Sequence, residues 1–383
     1  MTLASQTVLL LILLSLLYEG AAIAALFRWG RRARPTAIDT PPVTILKPLH
    51  GLEPELYDNL RSFCCQRYPV FQIVFGVHRG DDPAVAIVRR LQAELPGHDL
   101  RLVIGERNIG ANRKVSNLHN MLNDTRHDIL ILSDADVRVG PEYLRAVVGP
   151  LADPGVGVVT CLYRGAPDTG LGSRLLAQQI GEGFVPSVLV AQWLGPNTFC
   201  GGATLALRRS TLDAIGGFPA LADQLADDYL LAARARAHGL RTVLSHYVVD
   251  TLVREDGVAS AYRHALRWAR TIRSVQPLGY AFSFLTYPLP LALLGLLISG
   301  IGGGPVLFIL SLALAALRIT LHYSANRVLG AENPQGLRTL WAVDLMGFVI
   351  WLHALLAKQV RWRQENYFIR AGGRMERKER LLR

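Results

Sequence analysis

Residues 277–317 contain no charged side chain, and a second apolar run at 7–27 is interrupted only by Glu19. About 20 apolar residues in a helix span the hydrocarbon core of a bilayer, where the backbone must satisfy its own hydrogen bonds. Membrane helices are therefore expected at both ends of the chain. No positive charge precedes the first run, and it is longer than the apolar region of a signal peptide, so it reads as an anchor. Arg28, Arg31, Arg32 and Arg34 follow at once, which by the positive-inside rule leaves the N-terminus outside and the downstream chain in the cytoplasm. Gly302-Gly303-Gly304-Pro305 divides the longer run into two expected spans, near 281–300 and 305–322. A further run, 339–357, carries Asp344 and His353 and reads as a partial span, because charge in lipid is costly. The tail beyond it is basic, with Lys358, Arg361, Arg363, Arg370, Arg374, Arg377, Lys378, Arg380 and Arg383. Three full crossings would put that tail outside, against the same rule.

Composition agrees with the membrane reading. Only 19% of residues are charged, against about 25% in soluble domains, and the mean hydropathy is +0.25. A disordered chain, a collagen and a coiled coil are excluded. The net charge of +11 is concentrated at the membrane borders, where anionic headgroups are a sufficient partner; no nucleic-acid partner is expected. Cys64, Cys65, Cys161 and Cys200 show no CxxC spacing and read as reduced thiols.

The middle of the chain, 41–250, reads as an α/β domain. Short apolar runs at 43–46, 72–77, 102–104 and 128–132 suit buried parallel strands, and 55–64 and 82–95 have helical spacing. No GxGxxG follows a strand and no GxxxxGK[ST] occurs, which argues against a dinucleotide fold and a P-loop ATPase.

Acidic residues at element ends carry the candidate chemistry. Asp134 and Asp136 flank Ala135 after the apolar run 128–132, so both carboxylates can converge on one hard cation, Mn2+ or Mg2+, with a diphosphate completing the shell. Asp227 and Asp228 open a helix that runs to Gly239, where they either favour the helix dipole or present a carboxylate base. Glycines at 201–202 and 216–217 bracket a strand and a short helix. His264, Arg267 and Trp268 share one helical face. That face suits either an anionic leaving group and an acceptor, or a basic helix lying on the membrane surface.

Taken in order, VTILKPLHGLEPELYDNL (43–60), DDPA (81–84), GANRKVSNL (110–118), SDADVRV (133–139), ADDYLLA (226–232), HALRW (264–268) and WRQENYFIRAGG (362–373) form a recognisable set. It resembles the membrane-bound GT-A glycosyltransferases of family 2 type, and more narrowly the ceramide glucosyltransferase branch, family 21. TCLYRG (160–165) and QPLGYAFSFLTYPLPLAL (276–293) are most similar to bacterial hopanoid-biosynthesis glycosyltransferases. The resemblance implies that Asp81 and Asp82 help hold the uridine nucleotide and that Lys114 lies near the diphosphate. It further implies that Asp134 binds metal and nucleotide-sugar, Asp136 binds metal, Asp228 is the base, and Arg267 and Trp268 are the RW of a (Q/R)xxRW motif. Two departures stand out: His264 occupies the place of the usual Gln or Arg, and the histidine expected in the middle segment of animal ceramide enzymes is not evident around 183–186.

The resulting expectation is an α/β chain. A GT-A nucleotide-sugar-binding domain with a mostly parallel sheet sits between N-terminal and C-terminal transmembrane helices. Its segments are a 1–34 anchor with basic flank, a 41–250 catalytic domain and a 251–276 amphipathic interfacial helix. A 277–358 membrane region and a 359–383 basic cytoplasmic tail complete them. The implied activity is inverting transfer of a hexose or N-acetylhexosamine from a UDP-sugar to a membrane lipid at the cytoplasmic face of a bacterial inner membrane. The lipid would be a hopanoid polyol or a ceramide. A processive polysaccharide synthase shares the carboxylate and RW motifs but threads its product through more helices, and a non-catalytic lipid-binding scaffold would not need the carboxylates.

Overall fold

In the computed structural model, the apolar runs of the middle segment become the central strands of one sheet. Described are residues 2–32, 39–53, 55–195, 198–331, 333, 336–356, 359–362, 365–369 and 373–377. Arg34 of the first flank and Lys358, Arg363, Arg370, Lys378, Arg380 and Arg383 of the basic tail lie outside the described residues. The strands are β1 (Val43–Pro48), β2 (Phe71–Val77), β3 (Asp99–Ile104), β4 (Ile129–Leu132), β5 (Val137–Arg138), β6 (Val156–Pro167), β7 (Leu205–Arg208) and β8 (Arg241–Val253), in the order β3-β2-β1-β4-β7-β6-β8-β5. β1 pairs in parallel with β2 and β4, and β2 with β3. β7 then runs antiparallel to both β4 and β6, and β5 to β8. The parallel half is thus the expected one, and an antiparallel extension continues it.

Parallel strands need crossover helices, which cover both faces of the sheet. Leu56–Cys64, Ala84–Glu94 and Arg113–Met121 supply them. Side chains alternate across the pleat. Ile45, Ile73 and Phe75 pack with Phe63, Val88 and Tyr143 on one face. Leu46 and Val74 pack with Leu118, Leu130 and Phe218 on the other. Fully burying one such side chain contributes roughly 1.5–3 kcal/mol, so a one-residue slip of β1 would be prohibitive.

The chain divides into two units. The sheet-bearing unit comprises 33–163, 196–252 and 367–383, and the helical unit comprises 1–32, 164–195 and 253–366. Residues 164–195 thus group with the helical unit and 367–383 with the sheet-bearing unit. Within the sheet-bearing unit, the Met375 amide donates to the Asp223 carbonyl (2.8 Å) and the Leu225 amide to that of Gly373 (3.0 Å).

In the helical unit, Leu3–Gly30, Pro305–Leu329 and Gly336–Leu356 are each long and apolar enough to cross a bilayer, whereas Pro277–Thr286 and Pro288–Gly303 meet at 58°. The span expected at 281–300 is therefore broken. Pro288 has no amide proton and bars helical geometry from the residue before it, and Tyr287 duly sits at φ −113°, ψ 74°. The turn expected at 302–305 is present, with Gly302 and Gly304 at positive φ and Pro305 opening the next helix.

The run expected to be a partial span forms one continuous helix, Gly336–Leu356. Its Asp344 does not face lipid, because buried Arg318 bonds its carboxylate through Nε (3.1 Å) and Nη2 (3.0 Å). The same guanidinium reaches Glu182 at 3.2 Å, and Glu182 also meets His322 Nδ1 at 2.6 Å. The two longest helices run parallel. Near their N-termini a Cβ on Gly295 would collide with both Ile12 and Ser311, and near their C-termini a Cβ on Gly30 would sit 3.3 Å from Val328.

Candidate active site

In an open parallel sheet, ligands bind beyond the carboxyl ends of the strands. Here β1, β2 and β4 lead there into the loops that begin at Leu49, His78 and Ser133. Asn117 holds two of these ends, its amide donating to the carbonyls of Gly76 (2.8 Å) and Leu49 (3.4 Å). Only glycine fits at position 76, because a Cβ would strike both Asn117 and the Met121 sulfur. Asp82 accepts from the Gly51 amide at 3.0 and 3.1 Å and from the Ala84 amide at 2.9 Å, so its carboxylate ties the β1 loop to the β2 loop. Asp81 points outward in a two-pronged pair with Arg79 (2.8 and 2.7 Å).

The segment 110–114 explains its own composition. Gly110 lies against the chain at Ala222, whose carbonyl would be 2.5 Å from an added Cβ. The amides of Ala111 and Asn112 bond Asp223 Oδ1 (2.9 Å) and the Ala222 carbonyl (2.7 Å). Asn112 then caps the following helix, accepting from the Val115 amide (3.1 Å). Its own amide donates to the Gln224 carbonyl (2.8 Å) and to Asp227 Oδ1 (3.2 Å). One asparagine thus starts the lysine-bearing helix and grips the aspartate pair.

Lys114 is the hub. Its ammonium lies 2.6 Å from Asp134 Oδ1 and 3.8 Å from Asp227 Oδ2. An added Cβ on Gly202 would sit 2.9 Å from both Asp134 Oδ2 and Lys114 Nζ, and 3.5 Å from Asp228 Oδ2. Two carboxylates and one ammonium therefore crowd the space that a side chain at position 202 would need. Beneath them, fully buried Lys47 donates to the Asp134 carbonyl and to Ser133 Oγ (3.4 Å), with Nζ 3.9 Å above the Phe63 ring.

These charges shift one another. Burial pushes Asp228 up to about 6, reinforced by Asp227 and opposed by Lys114. Asp227 rises for the same first reason, again against Lys114. Burial, with the charges of Asp134 and Glu53, pushes Asp136 up to about 7 against the pull of Lys47. Burial lowers Lys47 to about 7 despite Asp136 and Asp134. Lys114 moves the other way: burial would lower it, but Asp134, Asp227 and Asp228 outweigh that and raise it. A permanently charged ammonium beside a carboxylate that titrates near neutrality is a base with an anion-binding partner.

Two of these residues have the donor chemistry a divalent cation takes. Asp134 and Asp136 offer hard carboxylate oxygens, and their mutual repulsion is what a cation relieves. No group of three or more His, Cys, Asp or Glu side chains among the described residues could hold a metal. A two-carboxylate site completed by substrate phosphate is the usual Mg2+ pattern.

His264, Arg267 and Trp268 lie on the helix Val258–Val275 of the helical unit. His264 bonds Glu255 through Nδ1 (2.7 Å) and Arg267 through Nε2 (2.9 Å), and its ring lies 4.3 Å from that of Trp268 at 57°. Of the residues picked from sequence, Lys114, Asp134 and Asp228 come together. Asp136 joins them by field, and Asp81 and Asp82 make their bonds within the loops after β1 and β2. Sequence reasoning missed Lys47, Asn112 and Glu255. Lys47 left one signal, a lysine inside an apolar strand, and Asn112 another, an N-cap residue opening a helix; Glu255, nine positions before His264, left none.

A sequence model of Glycosyl transferase family 21 covers residues 7–375. Ceramide glucosyltransferase 1 of Caenorhabditis elegans is 24% identical over 270 residues, 70% of this chain and 58% of that protein. Ceramide glucosyltransferase 3 of the same organism is 22% identical over 351 residues, 88% and 74% of the two chains. The chain thus spans under two thirds of the length of the first of these relatives. Among solved structures, a mannosyltransferase from Pyrobaculum calidifontis in complex with GDP-Man and Mn2+ superposes with a TM-score of 0.59 at 21% identity. That match covers 92% of this chain and 99% of that one, and the shared fold is GT-A. With nearly its whole length matched, the chain belongs to glycosyl transferase family 21.

Proposed function

We propose that this protein transfers a hexose or N-acetylhexosamine from a UDP-sugar to a hydroxyl of a membrane lipid, inverting the anomeric centre. The acceptor is a hopanoid polyol, with N-acetylglucosamine as the sugar, or a ceramide, with glucose. The observation that carries the reading is the Asp228–Lys114–Asp134 cluster around Gly202 at the carboxyl edge of the sheet. The names of the relatives support a lipid acceptor, and the family match supports glycosyl transfer.

Asp228 accepts the proton of the acceptor hydroxyl as its oxygen attacks the anomeric carbon. The bond from that carbon to the diphosphate breaks, and the electron pair leaves with UDP. Lys114 neutralises the diphosphate; the roles carried over for Arg267 and Trp268 from the RW motif are a second cation for the leaving group and a floor for the acceptor. Asp134 and Asp136 would hold Mn2+ or Mg2+, which when bound offsets the charge growing on the leaving group. A single displacement turns an α-linked donor into a β-glycoside.

The reading places the sheet-bearing unit at the cytoplasmic face of a bacterial inner membrane. Because Leu3–Gly30 and Pro305–Leu329 run parallel, the turn at 302–305 lies on the N-terminal, outer side, and 277–303 crosses despite its break. By the positive-inside rule the basic tail is cytoplasmic, with Gly336–Leu356 a partial span.

Asp228→Asn tests the chemistry in membranes carrying the full chain. The amide keeps the shape but cannot take the proton, so sugar transfer should fall about 10²–10⁴-fold while UDP-sugar binding survives. Transfer at the wild-type rate would remove Asp228 as the base.

A further inference from the structure

We infer that Glu255 and His264 are positioning residues for Arg267, forming a relay that aims its guanidinium. The inference rests on the reading of Arg267 as the cation for the leaving diphosphate. Arginine has only donors, so in the 2.9 Å contact with His264 Nε2 the ring nitrogen must accept. The ring proton is therefore on Nδ1, where it is donated to Glu255 Oε1 at 2.7 Å. A protonated ring would turn Nε2–H against the guanidinium, so the geometry selects one neutral tautomer.

Each member is held in turn. The Glu255 side chain is only 7% exposed, and its backbone amide donates to Ser173 Oγ at 2.9 Å. Burial would raise its pKa, but hydrogen bonds from His264 and Ser260 outweigh this and keep it below the ordinary glutamate value. The Trp268 ring, 4.3 Å from that of His264, limits how the imidazole can turn. One edge of the Arg267 guanidinium is thereby oriented, and because the group is planar its direction is set with it. This also accounts for His264 in place of Gln or Arg, since a histidine accepts from Arg267 and passes its own proton back to a carboxylate.

The test is a double-mutant cycle on the purified full-length protein. Turnover, KM for UDP-sugar, KM for lipid and thermal melting are measured for Glu255→Ala, His264→Ala, His264→Gln, Arg267→Ala and Glu255→Ala/Arg267→Ala. Misplacing a reacting group by about an ångström can cost up to about 10²-fold. Glu255→Ala and His264→Ala should therefore lower kcat by about 10- to 100-fold, with the lipid KM within about twofold. His264→Gln should stay within about threefold of wild type, because its amide both donates and accepts. On the Arg267→Ala background, Glu255→Ala should cost nothing further, as coupled residues require. If Glu255→Ala lowers the melting temperature, Glu255→Gln replaces it in the cycle. A full additional loss in the double variant, or a harmless Glu255→Ala beside a crippling Arg267→Ala, would overturn the relay alone. A near-wild-type Arg267→Ala would overturn the assignment of Arg267, and the relay with it.

Discussion

Gly202 offers the sharpest measure of how tightly the site is built. Its φ is not in the left-handed region, so Gly202→Ala adds only a methyl group. That methyl would lie 2.9 Å from Asp134 Oδ2 and 2.9 Å from Lys114 Nζ, where about 3.5 Å or more is comfortable. Both partners must retreat by about half an ångström, and neither is free to do so. Asp134 is drawn to Lys114 at 2.6 Å, and Lys114 is drawn to two carboxylates. Overpacking of this kind costs about 1–3 kcal/mol. Beyond that stability cost, displacing the reacting groups by about half an ångström should lower kcat/KM by up to roughly 10²-fold. The comparison is Gly97→Ala, whose added Cβ meets nothing within 4 Å. Both variants are assayed for sugar transfer in membranes at matched protein levels. Equal activity in the two would show that the carboxylate–ammonium cluster opens freely, and the reasoning from a tightly packed site would be wrong.

Chelation should abolish transfer and added Mn2+ or Mg2+ should restore it, read as labelled lipid in membranes; full activity in excess EDTA would remove the metal role of Asp134 and Asp136. Asp344→Ala strips Arg318 of one buried partner, a loss of about 3–5 kcal/mol. It should lower the melting temperature of the detergent-solubilised protein, and an unchanged melting curve would show that the Arg318 pairing contributes little. A tag after Arg383 should be cleaved by protease only in inside-out vesicles; cleavage in right-side-out spheroplasts would mean that Gly336–Leu356 crosses fully.

Much of this protein is legible in its amino-acid sequence alone. The apolar runs announce the membrane ends, since length and absence of charge are local properties of the chain. The strands β1, β2 and β4 show in short buried runs, and the acids after β4 and in the first turn of the helix Asp227–Ala237 show because they stand at element ends. Gly302–Gly304 and Pro305 spell the hairpin turn through their own dihedral limits. The glycines at 76, 110 and 202 are visible as letters, but what each one admits is not.

What only tertiary structure decided is the identity of partners. Asp344 looked too costly for a membrane helix, yet Arg318, 26 positions earlier, pairs with it, and Glu182, another 136 positions before Arg318, completes the set. The cost of a charge depends on what faces it, and nothing local encodes that. The same holds for Asn112 reaching Asp227 across 115 positions and for Lys47 beneath the aspartates. Even the membership of 164–195 in the helical unit follows from packing rather than from hydropathy. Periodicity and spacing determine which elements form, while burial and desolvation, which exist only once those elements meet, determine what each charged side chain can do.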